Sequence, residues 1–164
     1  MDLPAEYEEQ IKSYCERYDA TPTHVLGTGT QGTVLTARSP RQPWMFAVKF
    51  HRREIAYNRE VGVYLRLQDL EVTDVCGHDV PLLLTYDDEL HTIEMTIVSP
   101  PFCLDFGGAY LDKPPDYSPE VWRDWREEKE KDFDGKWPEV EKILDEFRWM
   151  GIHIADVNPG NIRF

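Results

Sequence analysis

The chain of 164 residues has few cysteines and lacks any long hydrophobic run. Its three cysteines, Cys15, Cys76 and Cys103, are far apart and form no CxxC pair, which argues against a disulfide framework or a zinc knuckle. No stretch of about 18 apolar residues occurs, so the sequence predicts no membrane-spanning helix. The acidic N-terminus, Met1 to Glu6, lacks the apolar core of a signal peptide. These absences predict a cytoplasmic protein with reduced thiols and no membrane partner.

Positive charge is also scarce. The chain has 18 Lys and Arg residues and 31 Asp and Glu residues, so its net charge is −13. Such a field repels polyanions, so the sequence predicts that nucleic acid is not a partner. Hydrophobic residues make up 41% of the chain, which is too many for a disordered protein and enough for a packed core. The length suits one domain or two small lobes.

The spacing of apolar residues predicts an α+β fold. Helical spacing predicts helices over 4–18 and 54–69, one that begins at Pro119 with Ser118 as its cap, and one that runs from Trp137 to the stop at Gly151. Alternating and β-branched residues predict five strands near 25–26, 33–37, 44–50, 81–86 and 92–98. Residues 19–23 are predicted to be a polar linker.

The helix over 54–69 has an apolar stripe that predicts its inward face. Tyr57, Val61, Tyr64 and Leu65 lie on that stripe. Ile55 and Leu67 lie off it, so both are expected to meet other neighbours or to stay partly exposed.

A glycine-rich segment, Gly27-Thr28-Gly29-Thr30-Gln31-Gly32, leads into strand-like residues that begin at Thr33. A dinucleotide-binding fold needs a helix after such a segment, and Pro40 and Pro43 forbid a long one. The remaining functional interpretation is a hairpin that folds over a nucleotide. Its glycines let backbone N–H groups approach phosphates, and Val34 covers the base. A plain glycine-rich hairpin is the structural alternative.

Lys49 lies in an apolar predicted strand, where alternation places it on the same face as Ala47. A charged group on a buried strand needs an opposite charge or a phosphate. The following helix offers Glu60, with Glu54 as the second choice. The alternative is an edge-strand lysine whose amine reaches water.

The segment Asp156-Val157-Asn158-Pro159-Gly160-Asn161 follows a predicted helix near the end of the sequence. An Asp followed five residues later by an Asn is the pattern of the protein kinase catalytic loop. There the Asp accepts the proton of the attacking hydroxyl and the Asn holds a magnesium ion. An ordinary Asx turn would also explain the pair.

In this combination of motifs the chain resembles the protein kinase-like superfamily. The resemblance implies a kinase-like N-lobe over residues 1–99, with a five-stranded antiparallel sheet and one major helix. Residues 100–164 would form the hinge and a short helical C-lobe remnant that ends in the catalytic loop. The implied cofactors are ATP and Mg²⁺.

The resemblance also implies roles for individual residues. In the loop, Gly27, Thr28, Gly29, Thr30, Gln31 and Gly32 would cover the ATP phosphates. Lys49 would bind the α- and β-phosphates, braced by Glu60, while Val34 and Ala47 enclose the nucleotide. Residues Thr96 to Val98 would be the hinge that hydrogen-bonds adenine. Asp156 would be the catalytic base and Asn161 a metal ligand.

Several positions depart from the family pattern. Ile154 and Ala155 replace the usual histidine and arginine before the catalytic aspartate, and Asn158 replaces a lysine. No Asp-Phe-Gly follows Asn161. The one Asp-Phe-Gly, at 105–107, precedes the catalytic loop and is interpreted as a coincidence. The alternative is that Asp105 folds back to supply the missing metal carboxylate.

The expected function is ATP-dependent phosphoryl transfer to a serine or threonine hydroxyl of a protein. One alternative is a pseudokinase-type scaffold that binds nucleotide without turnover. Another is a small-molecule phosphotransferase of the aminoglycoside or choline type. A cationic acceptor would then be attracted by acidic residues of the segment 116–130, namely Asp116, Glu120, Asp124, Glu127, Glu128 and Glu130.

Overall fold

The computed structural model describes residues 4–164, so the first three residues of the predicted acidic N-terminus lie outside the description. A 3₁₀ turn at Ala5–Tyr7 precedes four helices: α1 Glu8–Tyr18, α2 Glu54–Asp69, α3 Pro119–Asp132 and α4 Trp137–Trp149. The longer strands are β1 Thr21–Thr28, β2 Gly32–Ser39, β3 Gln42–His51, β6 Leu83–Asp87 and β7 Thr92–Met95. The shorter ones are β4 Asp74–Val75, β5 His78–Asp79, β8 Phe102–Cys103, β9 Ala109–Leu111, β10 Ile152–Ile154 and β11 Ile162–Arg163. The predicted α+β class is confirmed.

A five-stranded antiparallel sheet forms the first half of the fold. Its strand order is β1-β2-β3-β7-β6, and every neighbouring pair is antiparallel. All five strands have bounds that differ from the prediction, and two of the differences are large. Residues 21–23 belong to β1 instead of a linker, because they pair with β2. The strand predicted over 92–98 ends at Met95, so Thr96, Ile97 and Val98 follow the sheet as irregular chain.

The two faces of this sheet have different neighbours. Helix α1 covers one face, where Tyr7, Ile11 and Tyr14 pack in one buried cluster with side chains of β2 and β3, among them Val48 and Phe50. Alternation along β3 sends Ala47 and Lys49 to the opposite face, as predicted. That second face is the one that meets α2 and the rest of the chain.

Helix α2 has the predicted bounds but buries a wider face than the predicted stripe. Leu67 is only 2% exposed, whereas Leu65 is half-buried and Ile55 is exposed. The reason is that α2 packs on two sides. It meets the sheet and also β9, where an added Cβ at Gly62 would lie 2.9 Å from Leu111 Cδ1. One core cluster therefore continues from β3 and α2 into α4.

Short strands join distant parts of the second half of the chain. Strands β8 and β9 come before helices α3 and α4, and strands β10 and β11 come after them. Nevertheless β9 pairs antiparallel with β10, and β8 pairs antiparallel with β11. The Ser118 hydroxyl caps α3 by accepting a hydrogen bond from the Val121 amide, as predicted. Between residues 4 and 164, no helix combines the length and apolar character needed to cross a bilayer.

Candidate functional site

The amine of Lys49 lies beside the carboxylate of Glu60. Its Nζ is 2.7 Å from Glu60 Oε2, and both side chains are almost fully buried. The predicted ion pair between Lys49 of β3 and Glu60 of α2 is therefore present. Glu54, the second choice as partner, is exposed at the start of α2. Burial alone lowers the pKa of the Lys49 amine, but the charges of Glu60 and Asp105 outweigh it and raise that pKa. Burial raises the pKa of Glu60, and Lys49 and His51 together lower it to about 2.

Asp105 is the second carboxylate on this lysine. Its Oδ1 lies 2.6 Å from Lys49 Nζ, and its side chain is 27% exposed. The interpretation of residues 105–107 as a coincidence did not predict this contact. The next residue is fixed as well, because the Phe106 amide donates to Glu60 Oε1 at 3.4 Å and the Phe106 ring packs between Tyr64 and Phe147.

Strand pairing brings the segment that contains Asp156 and Asn161 next to the segment that contains Asp105. Ala109 pairs with Ile154, so Gly108 lies against Asp156, and an added Cβ there would be 2.8 Å from the Asp156 Cβ. The Leu104 amide donates to the Asn161 carbonyl at 2.9 Å. The segment 104–108 therefore contacts Lys49 through Asp105, Asp156 through Gly108 and Asn161 through Leu104.

The segment 156–161 is held by its own hydrogen bonds and by α3. The Asn161 side-chain amide donates to the Asp156 carbonyl at 3.3 Å. Asn158 Oδ1 accepts from the Gly160 amide, so this side chain closes a turn. The Trp125 indole donates to the Ala155 carbonyl at 2.9 Å. Within residues 4–164, the half-buried Asp156 carboxylate has neither a hydrogen-bond donor nor an ion-pair partner.

The glycine-rich segment is a hairpin between β1 and β2. The Gly29 amide donates to the Gly32 carbonyl at 2.9 Å. An added Cβ at Gly32 would lie 2.2 Å from the Phe50 carbonyl oxygen, so only glycine fits there. Gly27 and Gly29 face open space in the same test. Thr28 and Thr30 are exposed, and the Thr28 hydroxyl hydrogen-bonds that of Thr33.

The hairpin tip reaches the segment 105–108. An added Cβ at Gly107 would lie 3.3 Å from Gln31 Cβ and 3.2 Å from Glu60 Oε2. The glycine-rich hairpin, the Lys49–Glu60 ion pair and residues 105–108 therefore lie close together. The sequence predicts this proximity for the hairpin and the ion pair.

A cavity of about 110 Å³ lies next to Lys49. Six predicted site residues line it, namely Val34, Ala47, Lys49, Glu60, Thr96 and Val98. Ile97, from the predicted hinge segment, and Asp105 line it as well. The sequence did not predict the other lining residues: Leu26, Tyr64, Pro81, Met95 and Leu104. The hydrophobic pattern predicts several of these as apolar, but only the fold places them around one space. A larger open groove of about 620 Å³, between the start of α2 and residues 110–116, contains none of the predicted site residues.

The backbone after β7 forms one wall of this cavity. The Thr96 amide donates to the Leu82 carbonyl at 3.0 Å, and the Thr96 hydroxyl accepts from the Leu82 amide at 2.8 Å. The described chain provides no hydrogen-bond partner for the Thr96 carbonyl or the Val98 amide. Both groups are free to bond a ligand in the cavity.

The sequence predicts Asn161 as a metal ligand, with Asp105 as the alternative source of a metal carboxylate. Among residues 4–164, no three His, Cys, Asp or Glu side chains gather as a metal-binding group. Magnesium does not need such a group, because one or two protein oxygen ligands plus substrate phosphates hold it in most nucleotide sites. The assignment of Asn161 as a metal ligand therefore stays a prediction.

Comparison with known proteins gives no relative. The scan against protein-family models, the search of curated proteins and the search of solved structures each return no match. Function must therefore be inferred from the arrangement of the residues.

Proposed function

We propose that this protein binds Mg²⁺-ATP and transfers the γ-phosphoryl group to a serine or threonine hydroxyl of a protein, in a protein kinase-like fold. The observation that carries the proposal is the position of Lys49 Nζ, 2.7 Å from Glu60 and 2.6 Å from Asp105. A lysine paired with a helix carboxylate, beside an Asp-Phe-Gly aspartate, is the arrangement that protein kinases use for ATP phosphates.

Each part of the site has a role in that reaction. The adenine ring would occupy the cavity beside Val34 and Ala47 and bond the free backbone groups of Thr96 and Val98. The phosphates would lie under the hairpin 27–32, whose Gly27 and Gly29 leave open space for them. Lys49 would bind the α- and β-phosphates. Without a ligand, Glu60 and Asp105 balance the charge of this buried amine.

Asp156 would accept the proton of the attacking hydroxyl. Its carboxylate has no partner in residues 4–164, and the close contact between Gly108 and Asp156 fixes its distance from the segment that holds Asp105. Proton acceptance by a positioned carboxylate needs a free oxygen within reach of the hydroxyl.

Asp105 and Asn161 would hold the metal. A magnesium ion bound there would neutralise charge on the phosphates as the γ-phosphoryl group leaves. The side chains themselves contribute preorganisation. Asp105 is oriented by Lys49, and Asn161 is oriented by its hydrogen bond to the Asp156 carbonyl.

The segment order differs from the one that protein kinases use. There the Asp-Phe-Gly follows the catalytic loop in the chain. In this chain it comes first, and the pairs β8–β11 and β9–β10 supply the proximity. Catalysis depends on positions in space, so the reversed order is compatible with the proposal.

One observation favours a second candidate, a small-molecule phosphotransferase with a cationic acceptor. The Trp125–Ala155 hydrogen bond ties the acidic helix α3 to the residue before Asp156. A cationic acceptor would meet that negative field near the proposed base.

Phosphoryl transfer from labelled ATP tests the proposal. Wild type should label serine or threonine in a mixture of peptides, and Asp156→Ala should lose that activity while it still binds ATP. Asp124→Asn, on the exposed side of α3, is the control and should stay active with peptides. Labelling of aminoglycosides or choline alone would favour the second candidate. Nucleotide binding with equal background signal from wild type and Asp156→Ala would indicate a pseudokinase-type scaffold.

A further inference from the structure

His51 lies two residues after Lys49 on the same face of β3. Its side chain is fully buried, and Nε2 lies 2.6 Å from Glu60 Oε2, the oxygen that Lys49 contacts at 2.7 Å. Because an ionised carboxylate can only accept, Nε2 carries a proton and donates it to Glu60. Glu60 therefore has two donors from one strand.

The imidazole is itself held from several sides. The ring meets Tyr57 of α2 edge-on, with 5.7 Å between the ring centroids. Nδ1 lies 3.3 Å from the His91 carbonyl, a contact and not a hydrogen bond when the proton is on Nε2 alone. The His51 amide donates to the same His91 carbonyl at 3.1 Å. The Gln10 side chain of α1 donates to the His51 carbonyl at 3.1 Å. The ring thus has a fixed position that does not depend on Lys49.

We propose that His51 is a positioning residue that keeps Glu60, and with it α2, in place while Lys49 binds phosphate. The inference rests on the proposed function, because it assigns His51 a task in the nucleotide cycle. Without ligand, Lys49 donates to Glu60 and Asp105. Phosphates compete for the same amine, and a fully buried carboxylate that loses a donor is destabilised. His51 supplies a donor that phosphate does not compete for.

The connection continues to the Asp-Phe-Gly segment. The other oxygen of Glu60 accepts from the Phe106 amide, and Phe106 follows the proposed metal ligand Asp105. A displaced Glu60 would therefore release residues 105–108 as well as Lys49. The expected result of losing His51 is a slower chemical step with a smaller change in the affinity for ATP.

A nucleotide-free experiment tests the positioning role by itself. Hydrogen exchange of the Phe106 amide is measured in Lys49→Met, His51→Leu and the double variant. Lys49→Met alone should leave the exchange rate within about threefold of wild type, because His51 still holds Glu60. The double variant should exchange at least about tenfold faster. Equal exchange in Lys49→Met and the double variant would overturn the proposal.

A kinetic experiment tests the role during turnover. His51→Leu should lower kcat at least about tenfold and raise the KM for ATP by less than about threefold. His51→Gln keeps an N–H donor toward Glu60 and should recover most of kcat. His24→Leu, an exposed histidine on β1, is the control and should behave as wild type. Equal loss in the Leu and Gln variants would overturn the proposal. A wild type without turnover would instead contradict the proposed function, and the exchange experiment would still decide the role of His51.

Discussion

The Asp105 carboxylate lies 2.6 Å from the Lys49 amine although 56 residues separate them in the chain. Two short antiparallel pairs make this possible. Strand β8 pairs with β11 and β9 pairs with β10, so residues 105–108 pass directly beside residues 156–161. The Lys49–Asp105 ion pair lies beside a small cavity, and the segment that carries Asp105 also contacts Asp156 and Asn161.

Asp105→Asn should separate metal-dependent turnover from folding. The fold should persist, because Lys49 keeps its bond to Glu60. Turnover should fall by about 10²-fold or more, since the loss of a metal carboxylate removes several kcal/mol of charge stabilisation. Phosphoryl transfer measured against Mg²⁺ concentration checks this. A variant with the wild-type rate and wild-type Mg²⁺ dependence would show that Asp105 is not a ligand.

Trp125→Phe should loosen the loop that carries Asp156. The substitution removes the indole donor to the Ala155 carbonyl and keeps an aromatic ring next to Trp122 and Trp137. The expected cost is about 1 kcal/mol of unfolding free energy together with a several-fold lower turnover. Trp149→Phe is the matched control, because Trp149 is 87% exposed. Urea unfolding and a rate assay of both variants provide the comparison, and equal effects would contradict the role of Trp125.

Two glycines of the hairpin should respond differently to alanine. Gly32→Ala places a methyl group 2.2 Å from the Phe50 carbonyl oxygen, a backbone atom that cannot turn away. The free energy of unfolding should therefore fall by about 1–3 kcal/mol. Gly29→Ala meets open space and should change stability by less than about 0.5 kcal/mol. Thermal unfolding of the two variants checks the hairpin geometry independently of any ligand.

The buried ion pair of Lys49 and Glu60 should make the free energy of unfolding depend on pH below about pH 5. The pKa of Glu60 is lowered from 4.5 to about 2 in the folded protein, against the opposing effect of burial, by Lys49 and His51. The stability from this shift is fully present above pH 4.5 and is lost as the pH falls toward 2. Glu60→Gln lacks that dependence. The stability difference between the two proteins should shrink by about 2 kcal/mol between about pH 5 and about pH 3. Urea titrations across that range measure it, and a constant difference would contradict the charged state of Glu60.

Local patterns were sufficient to predict the elements that place the site. The helical period gave the bounds of α2, and alternation in β3 placed Lys49 and Ala47 on the site face. Glu60 was predicted as the lysine's partner because the following helix had to supply a counter-charge. The burial of Leu67 was not predicted, because the apolar stripe describes one packing surface of α2 and the helix has two.

Contacts between distant segments were not predictable in the same way. The Asp-Phe-Gly at residues 105–107 was interpreted as a coincidence because it precedes the segment 156–161, whereas in protein kinases it follows the catalytic loop. The two-residue strand β8 that brings it back has no pattern of its own. The contact between His51 and Glu60 has no local sequence signal either. Only the burial of β3 shows that the His51 ring faces Glu60. In both cases the deciding contact joins segments that no local period connects.

The most direct test of a single nucleotide site around Lys49 is calorimetric titration of the protein with Mg²⁺-ATP. The arrangement predicts saturable binding of one nucleotide per chain, weakened at least about tenfold by Lys49→Met. The absence of binding heat, or equal affinity of wild type and Lys49→Met, would contradict the account.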